Sequence, residues 1–327
     1  MDRYVVGIDL GGTKIYTALA DSRGRIVAEA RIPTGAGDGP EAVIGRIVET
    51  YNQVKDLTPV GVAGPAAIGI GSPGSLDPVK GVVFRSPNLS GWNNIPLREK
   101  LEQITGLPVY VDNDANLAAL GEYFFGAGRG SRHMVYVTVS TGIGAGLILD
   151  GHIYRGAGGG AGEVGHMVLD PDGPLCGCGR RGCLESLSSG TAMASRAREL
   201  VAAGRGRAIL REAGGNPGDI TAVSVAKASA SGDPEATGII STAGDYLGMG
   251  MANMVNLINP DRLVLGGGAL GAGSVLWDSM KRELSARALG SSLGQVKVVR
   301  AGLEGRSGLL GAVALALKGA GMVIPGE

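Results

Sequence analysis

The sequence predicts an α/β protein built by internal duplication. Three observations carry this. An apolar run at 4–8 ends in Asp9-Leu10-Gly11-Gly12-Thr13-Lys14, and a second run at 15–19 ends in the turn Asp21-Ser22-Arg23-Gly24. The same design returns later: an apolar run at 134–139, then Ser140-Thr141-Gly142-Ile143-Gly144-Ala145-Gly146, an apolar run at 147–149 and an Asp150-Gly151 turn. Between these, stretches with helical apolar spacing alternate with short β-rich runs. The 327 residues suffice for two domains with cores of their own.

Each element follows from its local pattern. Strands are expected at 4–8, 15–19 and 26–32, then a helix at 40–57. A short buried strand at 66–70 ends in Gly71-Ser72-Pro73-Gly74. Another at 82–84 precedes Ser86-Pro87-Asn88-Leu89 and Gly91-Trp92. A helix at 97–105 stops at Gly106. A strand at 109–111 ends in Asp112-Asn113-Asp114-Ala115-Asn116, followed by a helix at 117–125. After the strands of the second repeat comes a helix at 191–203. The charged, glycine-rich stretch 204–220 reads as surface, and 223–230 as helix. Asp233-Pro234 starts a helix, with Asp as N-cap and Pro in the first turn, and Asn259-Pro260 ends it. A strand at 262–265 runs into Gly266-Gly267-Gly268-Ala269. Helices at 277–288 and 307–318 flank a last strand at 296–300. No low-complexity linker separates the two halves.

Composition narrows the function. Lys plus Arg is 30 and Asp plus Glu is 30, so no net field attracts nucleic acid or a membrane surface. Aromatics make up 4%, too few for base-stacking platforms. The 59 glycines fall in clusters after apolar runs, as in loops where backbone N–H groups approach an anion. No charged segment followed by an apolar one opens the chain, and no apolar run reaches membrane-spanning length, so a cytoplasmic protein is expected.

The chemistry concentrates in residues 163–185, EVGHMVLDPDGPLCGCGRRGCLE. His166, Cys176, Cys178 and Cys183 read as H-x9-C-x-C-x4-C. Tetrahedral zinc sites gather four such ligands through tight turns, here at Gly177, Gly179 and Gly182. Because all four positions would be filled by protein, a structural site is expected. Buried filler cysteines, a disulfide and an iron–sulfur cluster are the alternatives. Clustering between glycines argues against the first, an odd cysteine against the second, and the histidine against the third. Glu163 and Glu185 flank the cluster as ligand-facing groups, against the plainer readings of a solvated loop carboxylate and a first-turn helix charge. His166 can bind metal through one nitrogen and hydrogen-bond outward through the other. At the end of the 109–111 strand, Asp114 fits a general base and Asn113 a hydroxyl-binding amide. Helix capping by Asp112 or Asp114 fits the position equally. The turns at Gly11, Gly12, Thr13 and Lys14 and at 140–146 fit two grips on a polyphosphate. The 266–269 cluster fits close approach to adenine and ribose.

Several segments together resemble the ROK group of sugar kinases, and within it the ATP-dependent glucokinases of bacteria. These are DLGGTK at 9–14, SPG at 72–74, PNLSGW at 87–92, VDNDAN at 111–116, STGIGAG at 140–146, EVGH at 163–166, CGCGRRGCLE at 176–185 and GGGAL at 266–270. The resemblance covers essentially the whole chain, and no position departs from it. It implies an actin-like ATPase (ribonuclease H-like) fold with two lobes and a central cleft, the small lobe at 1–112 plus 301–327 and the large one at 113–300. It implies phosphorylation of glucose to glucose 6-phosphate by ATP and Mg²⁺, with Asp114 as base. Gly74, Asn88, Asn113, Glu163, His166 and Glu185 would surround the sugar. Gly11, Gly12, Thr13 and Lys14 would line the first phosphate loop, Thr141 and Gly142 the second, and Gly267 and Gly268 the adenosine. His166, Cys176, Cys178 and Cys183 would bind zinc. A dimer or tetramer is expected, with no nucleic-acid or membrane partner. N-acetylmannosamine, fructose, mannose or allose as substrate, polyphosphate as donor, and a non-catalytic sugar sensor remain alternatives. The family's repressors carry a helix-turn-helix segment ahead of the first glycine loop, for which the strand expected from Tyr4 leaves no room.

Overall fold

A computed structural model describes residues 3–58 and 64–324. β1 (Tyr4–Leu10) and β2 (Lys14–Asp21) form an antiparallel hairpin with Leu10 opposite Ile15. β3 (Ile26–Pro33) pairs antiparallel with β2, and α1 (Pro40–Asp56) follows. β4 (Ile68–Ser72) lies parallel to β1. β5 (Ser75–Asp77), β6 (Val82–Arg85) and β7 (Asn93–Ile95) make a small antiparallel sheet. Then come α2 (Leu97–Thr105), β8 (Val109–Asn113) parallel to β4, and α3 (Asp114–Phe125).

The second repeat opens with β9 (Met134–Val139), β10 (Ile143–Leu149) and β11 (His152–Tyr154). Helices follow: α4 (Leu184–Ser188), α5 (Gly190–Ala202), α6 (Arg207–Glu212), α7 (Ala222–Ala230) and α8 (Pro234–Ile258). β12 (Arg262–Gly266), α9 (Ser274–Arg287), α10 (Gly290–Leu293), β13 (Lys297–Arg300) and α11 (Ser307–Gly319) complete the chain. The first large sheet has the order β3-β2-β1-β4-β8 and the second β11-β10-β9-β12-β13. Each therefore reads third, second, first, fourth, fifth, which is the duplication seen in the strand–glycine–strand repeat.

By its internal contacts the chain forms two compact units: Met1–Tyr136 with Gly146–Ala161 and Ala301–Glu327, and Val137–Ala145 with Gly162–Arg300. The first is a layered α/β unit. β1, β2 and β4 of its large sheet are buried almost throughout and so read as apolar runs, whereas edge strand β3 alternates buried and exposed residues. Ile8, Leu10, Ile15, Ile68, Ile70 and Val111 share one core with Val43, Ile44, Ile47 and Val54 of α1. The other face is covered by α11: a Cβ at Gly7 or Gly69 would overlap Val313 or the Ala312 carbonyl. α11 also crosses α3 closely, where Gly121 meets the Ser307 carbonyl and Gly311 meets the Leu117 carbonyl. This crossing moves the expected border. Residues 113–136 stay with the first unit because α3 packs on α11. Buried Glu122 fastens it further, accepting from Ala127 N, Gly302 N, Leu303 N and Ser307 Oγ.

Three other expectations change. α3 begins at Asp114, not at 117, which places Asp114 on the helix rather than ahead of it. β10 begins inside the glycine-rich stretch at Ile143, and Gly146 serves packing, with a Cβ there 2.6 Å from Ala119 Cβ. The stretch 204–220 contains α6, anchored by fully buried Ile209. Among the described residues no helix is long and apolar enough to cross a membrane.

Candidate active site and metal centre

The 163–185 segment folds as two tight turns stapled together. Cys176 N–H donates to Arg180 O at 2.7 Å, Gly179 N–H to Cys176 O at 2.9 Å, and Gly182 N–H to Pro174 O at 2.9 Å. Gly179 and Gly182 have φ of 87° and 65°, and a Cβ on Gly182 would overlap the Asp170 carbonyl. Only glycine fits there. Gly177 has ordinary φ and open space around it, so that turn does not require it.

These turns gather the four expected ligands. One ligand atom from each of His166, Cys176, Cys178 and Cys183 lies within 4.8 Å of the others. Cys176 Sγ is 3.7 Å from His166 Nδ1, and Cys178 Sγ is 3.7 Å from Cys183 Sγ. A tetrahedron with metal–sulfur bonds of about 2.3 Å has edges of about 3.8 Å. The donor set thus fits a tetrahedral metal, and all three cysteines are free thiols rather than disulfide-bonded. Burial pushes the Cys183 thiol up to about 12 and raises Cys176 as well, whereas the Arg180 N–H lowers Cys178. Assembling three thiolates here takes a cation, since coordination deprotonates thiols outright.

The two flanking carboxylates have different settings. Val164–His166 is a single 3-10 turn with Glu163 at its start. His166 therefore shows Nδ1 to Cys176 while its Nε2 lies 3.8 Å from Glu163 Oε2. Glu185 sits in the first turn of α4. Its Oε2 accepts the Ile143 N–H at 2.9 Å, and its Oε1 lies 3.9 Å from Cys176 Sγ. The Ile143 bond was not legible from sequence, because 42 residues separate the partners.

In the first unit, three neighbouring polar residues divide their work. Asn113 is the N-cap of α3, its side chain accepting from Ala115 N and Asn116 N. Its Nδ2 donates to Gly74 O at 3.2 Å. Buried Asp112 binds Asn116 Nδ2 at 3.0 Å and the Arg155 guanidinium at 2.6 Å. Neither alternative cap is the main one: Asp114 accepts its neighbour's N–H, from Ala115 at 2.9 Å, and stays half-buried on the first turn. Gly74 has φ 95°, and a Cβ would overlap the Arg85 carbonyl.

The first glycine turn is closed by Gly11 N–H to Lys14 O at 3.0 Å and held by Thr34 Oγ1 to Gly11 O at 2.7 Å. A Cβ on Gly12 would be 3.1 Å from Asn88 Cβ, so the structure sets Asn88 against this turn. Thr13 is exposed and Lys14 half-buried. Asp9 was missed as a site residue. Burial holds its carboxyl above the usual value, partly offset by the Lys14 cation. The signal was present: a charge near the end of an otherwise apolar strand, two residues before the first glycine.

In the second unit, Ser140 N–H closes its turn on Gly142 O at 2.8 Å. The turn is tied to the start of α5 by Gly190 N–H to Ser140 O at 2.8 Å. A cavity of about 650 Å³ opens here, lined by Ser140, Thr141, Gly190, Thr191, Thr221, Gly268 and Ala269 among others. Its volume suits a nucleoside. Gly268 lines it; Gly267, with φ 97°, packs instead on the Val139 backbone.

Duplicated sheets of one strand order, each with a glycine turn after its first strand, define a protein of the actin-like ATPase fold. The chain belongs to the ROK family, whose model matches residues 5–319. It is 37% identical over 311 residues to a glucokinase of Thermotoga maritima, covering 95% of this chain and 96% of that protein. It is 32% identical over 314 residues to a xylose repressor of Caldicellulosiruptor bescii, covering 96% of this chain and 78% of that protein. A ROK family glucokinase from Streptomyces griseus, solved in complex with glucose and AMPPNP, superposes with a TM-score of 0.82 at 34% identity. That match covers 96% of this chain and 99% of the other.

Proposed function

We propose that this chain transfers the γ-phosphoryl group of ATP to glucose, giving glucose 6-phosphate. The full-length similarity to glucokinases supports the activity. The observation that carries its chemistry is the division of labour at 112–114: Asp112 is held in the Arg155 ion pair and Asn113 serves as the main cap, while the Asp114 carboxylate stays half-buried on the first turn of α3. In this reading Asp114 takes the proton of the attacking hydroxyl. Phosphoryl transfer passes through a loose transition state, so the base positions the hydroxyl and receives its proton late. Asn113 Nδ2, Gly74, Asn88, Glu163, His166 and Glu185 hold the remaining hydroxyls, which amides and carboxylates read directionally. Gly11, Gly12, Thr13 and Lys14, and Thr141 with Gly142, line the phosphates; Gly268 flanks the adenosine, with Gly267 behind it against the Val139 backbone.

Mg²⁺ would neutralise charge on the phosphates, and half-buried Asp9 is the carboxylate of the first turn suited to it. His166, Cys176, Cys178 and Cys183 would hold a structural Zn²⁺ that keeps Glu163 and Glu185 in register. A dimeric or tetrameric, cytoplasmic enzyme without nucleic-acid or membrane partners completes the proposal.

The xylose repressor similarity favours one other reading, sugar binding without turnover. ADP release with Mg-ATP across glucose, N-acetylmannosamine, mannose, fructose and allose decides. Turnover highest on glucose is expected. Higher turnover on another sugar replaces the substrate, and none on any sugar, in zinc-replete protein, establishes the sensor.

A further inference from the structure

We infer that Glu185 couples sugar binding to nucleotide binding, one oxygen of its carboxylate serving each. The inference rests on the sugar-kinase reading above. It begins from the unusual setting of this side chain. Glu185 lies two residues after the ligand Cys183, yet its Oε2 accepts the N–H of Ile143 at 2.9 Å, the residue next to Gly142. Gly142 is bare on that side: a Cβ would overlap the same Oε2. The carboxylate is therefore pressed directly onto the second glycine turn.

The turn's own hydrogen bonds explain why this matters. Ser140 N–H is spent on Gly142 O, and Ile143 N–H on Glu185. The N–H groups between them, on Thr141 and Gly142, are those left to face a phosphate. Their aim is fixed by one anchor on each side, and Glu185 is one of the two. Thr141 also lines the nucleoside-sized cavity.

The other oxygen points elsewhere. Oε1 lies 3.9 Å from Cys176 Sγ. A metal-bound Cys176 is a thiolate and has no proton to share. Oε1 is then the acceptor left for a sugar hydroxyl to donate to. A hydroxyl drawing on Oε1 fixes the carboxylate's rotation, and with it the bond from Ile143. Sugar binding thus orders the phosphate turn, and by linkage nucleotide binding orders the sugar oxygen by the same factor.

The test uses the zinc-replete full chain and equilibrium binding of a non-hydrolysable ATP analogue with Mg²⁺, with and without saturating glucose. In the wild-type protein glucose should tighten the analogue by about fivefold or more. In Glu185→Gln, which can no longer present two acceptor oxygens, the analogue should bind equally with and without glucose, at unchanged zinc content. Gly142→Ala, whose methyl displaces Oε2, should lose the same factor, and it carries the comparison if Glu185→Gln binds no glucose. Full coupling in both variants, with only glucose affinity reduced, overturns the inference and leaves Glu185 a simple sugar ligand. A wild-type protein that binds glucose and nucleotide independently overturns it too, while leaving the kinase reading intact. A wild-type protein that binds no glucose removes both.

Discussion

Asp112, Asn113 and Asp114 are three consecutive residues of similar size with three separate settings: an ion pair with Arg155, a helix cap, and a half-buried carboxylate. Asp114→Asn should lower kcat by about 10²–10⁴ while leaving glucose affinity within a few-fold, as measured by turnover and calorimetry. Retention of more than a tenth of kcat would remove Asp114 as the base. The sequence singled out this cluster but not the roles within it, because Asp and Asn cap helices almost equally well. Which side chain turns toward the helix depends on Arg155 and Gly74, both remote in the chain. Asp21 gives a pH prediction. Burial raises its carboxyl, but the N–H groups of Arg25 and Arg23 and the Arg25 guanidinium outweigh that, and the net shift is down. A lowered folded value means stabilisation present above the ordinary 3.8 and lost as pH falls through the folded value. The stability gap between wild type and Asp21→Asn, from urea melts, should therefore narrow below that pH and be widest near neutrality.

At the scale of elements, glycine had to be read position by position. Gly182, Gly74 and Gly267 combine positive φ with a backbone contact that leaves no room for a side chain. Gly311 has a different reason: it sits in mid-helix, where α11 rests on the Leu117 carbonyl. Gly311→Ala gains helix propensity but must push the helices apart, so a net loss of about 1–3 kcal/mol is expected from chemical denaturation. A stabilised variant would mean the crossing yields freely. Pattern reading found most elements because their strands are buried runs and their helices long enough to show a period. It failed at α6, where six residues show less than two turns and a single buried isoleucine does the anchoring. It failed again at the start of α3, where polar residues occupy the first turn.

For the whole molecule, the duplication was legible because both copies keep an apolar strand, a glycine turn and a second strand in the same order. The border between units was not, because it depends on which helix α3 packs against. The convergence of His166, Cys176, Cys178 and Cys183 was legible, since all lie in one short segment. Its link to the second glycine turn was not, since that runs through a carboxylate and one N–H remote in sequence. Removing the metal tests the cluster's role in the whole. Chelation should lower the melting temperature and weaken glucose binding together, and added Zn²⁺ should restore both. Unchanged glucose affinity in folded, metal-free protein would confine the metal to a local role.

The return of residues 301–319 to the first unit has a consequence for how the protein is made. α11 covers one face of the sheet that begins at Tyr4, and it crosses α3. A ribosome elongating at about 5–20 residues per second reaches it many seconds after the first sheet has emerged. For that interval one side of an apolar sheet has no cover. The N-terminal unit, though translated first, is the one that must wait. A chain truncated after Arg300 should therefore expose that face, bind hydrophobic dyes and aggregate, whereas the second unit, complete by Arg300, has no such debt to the end of the chain.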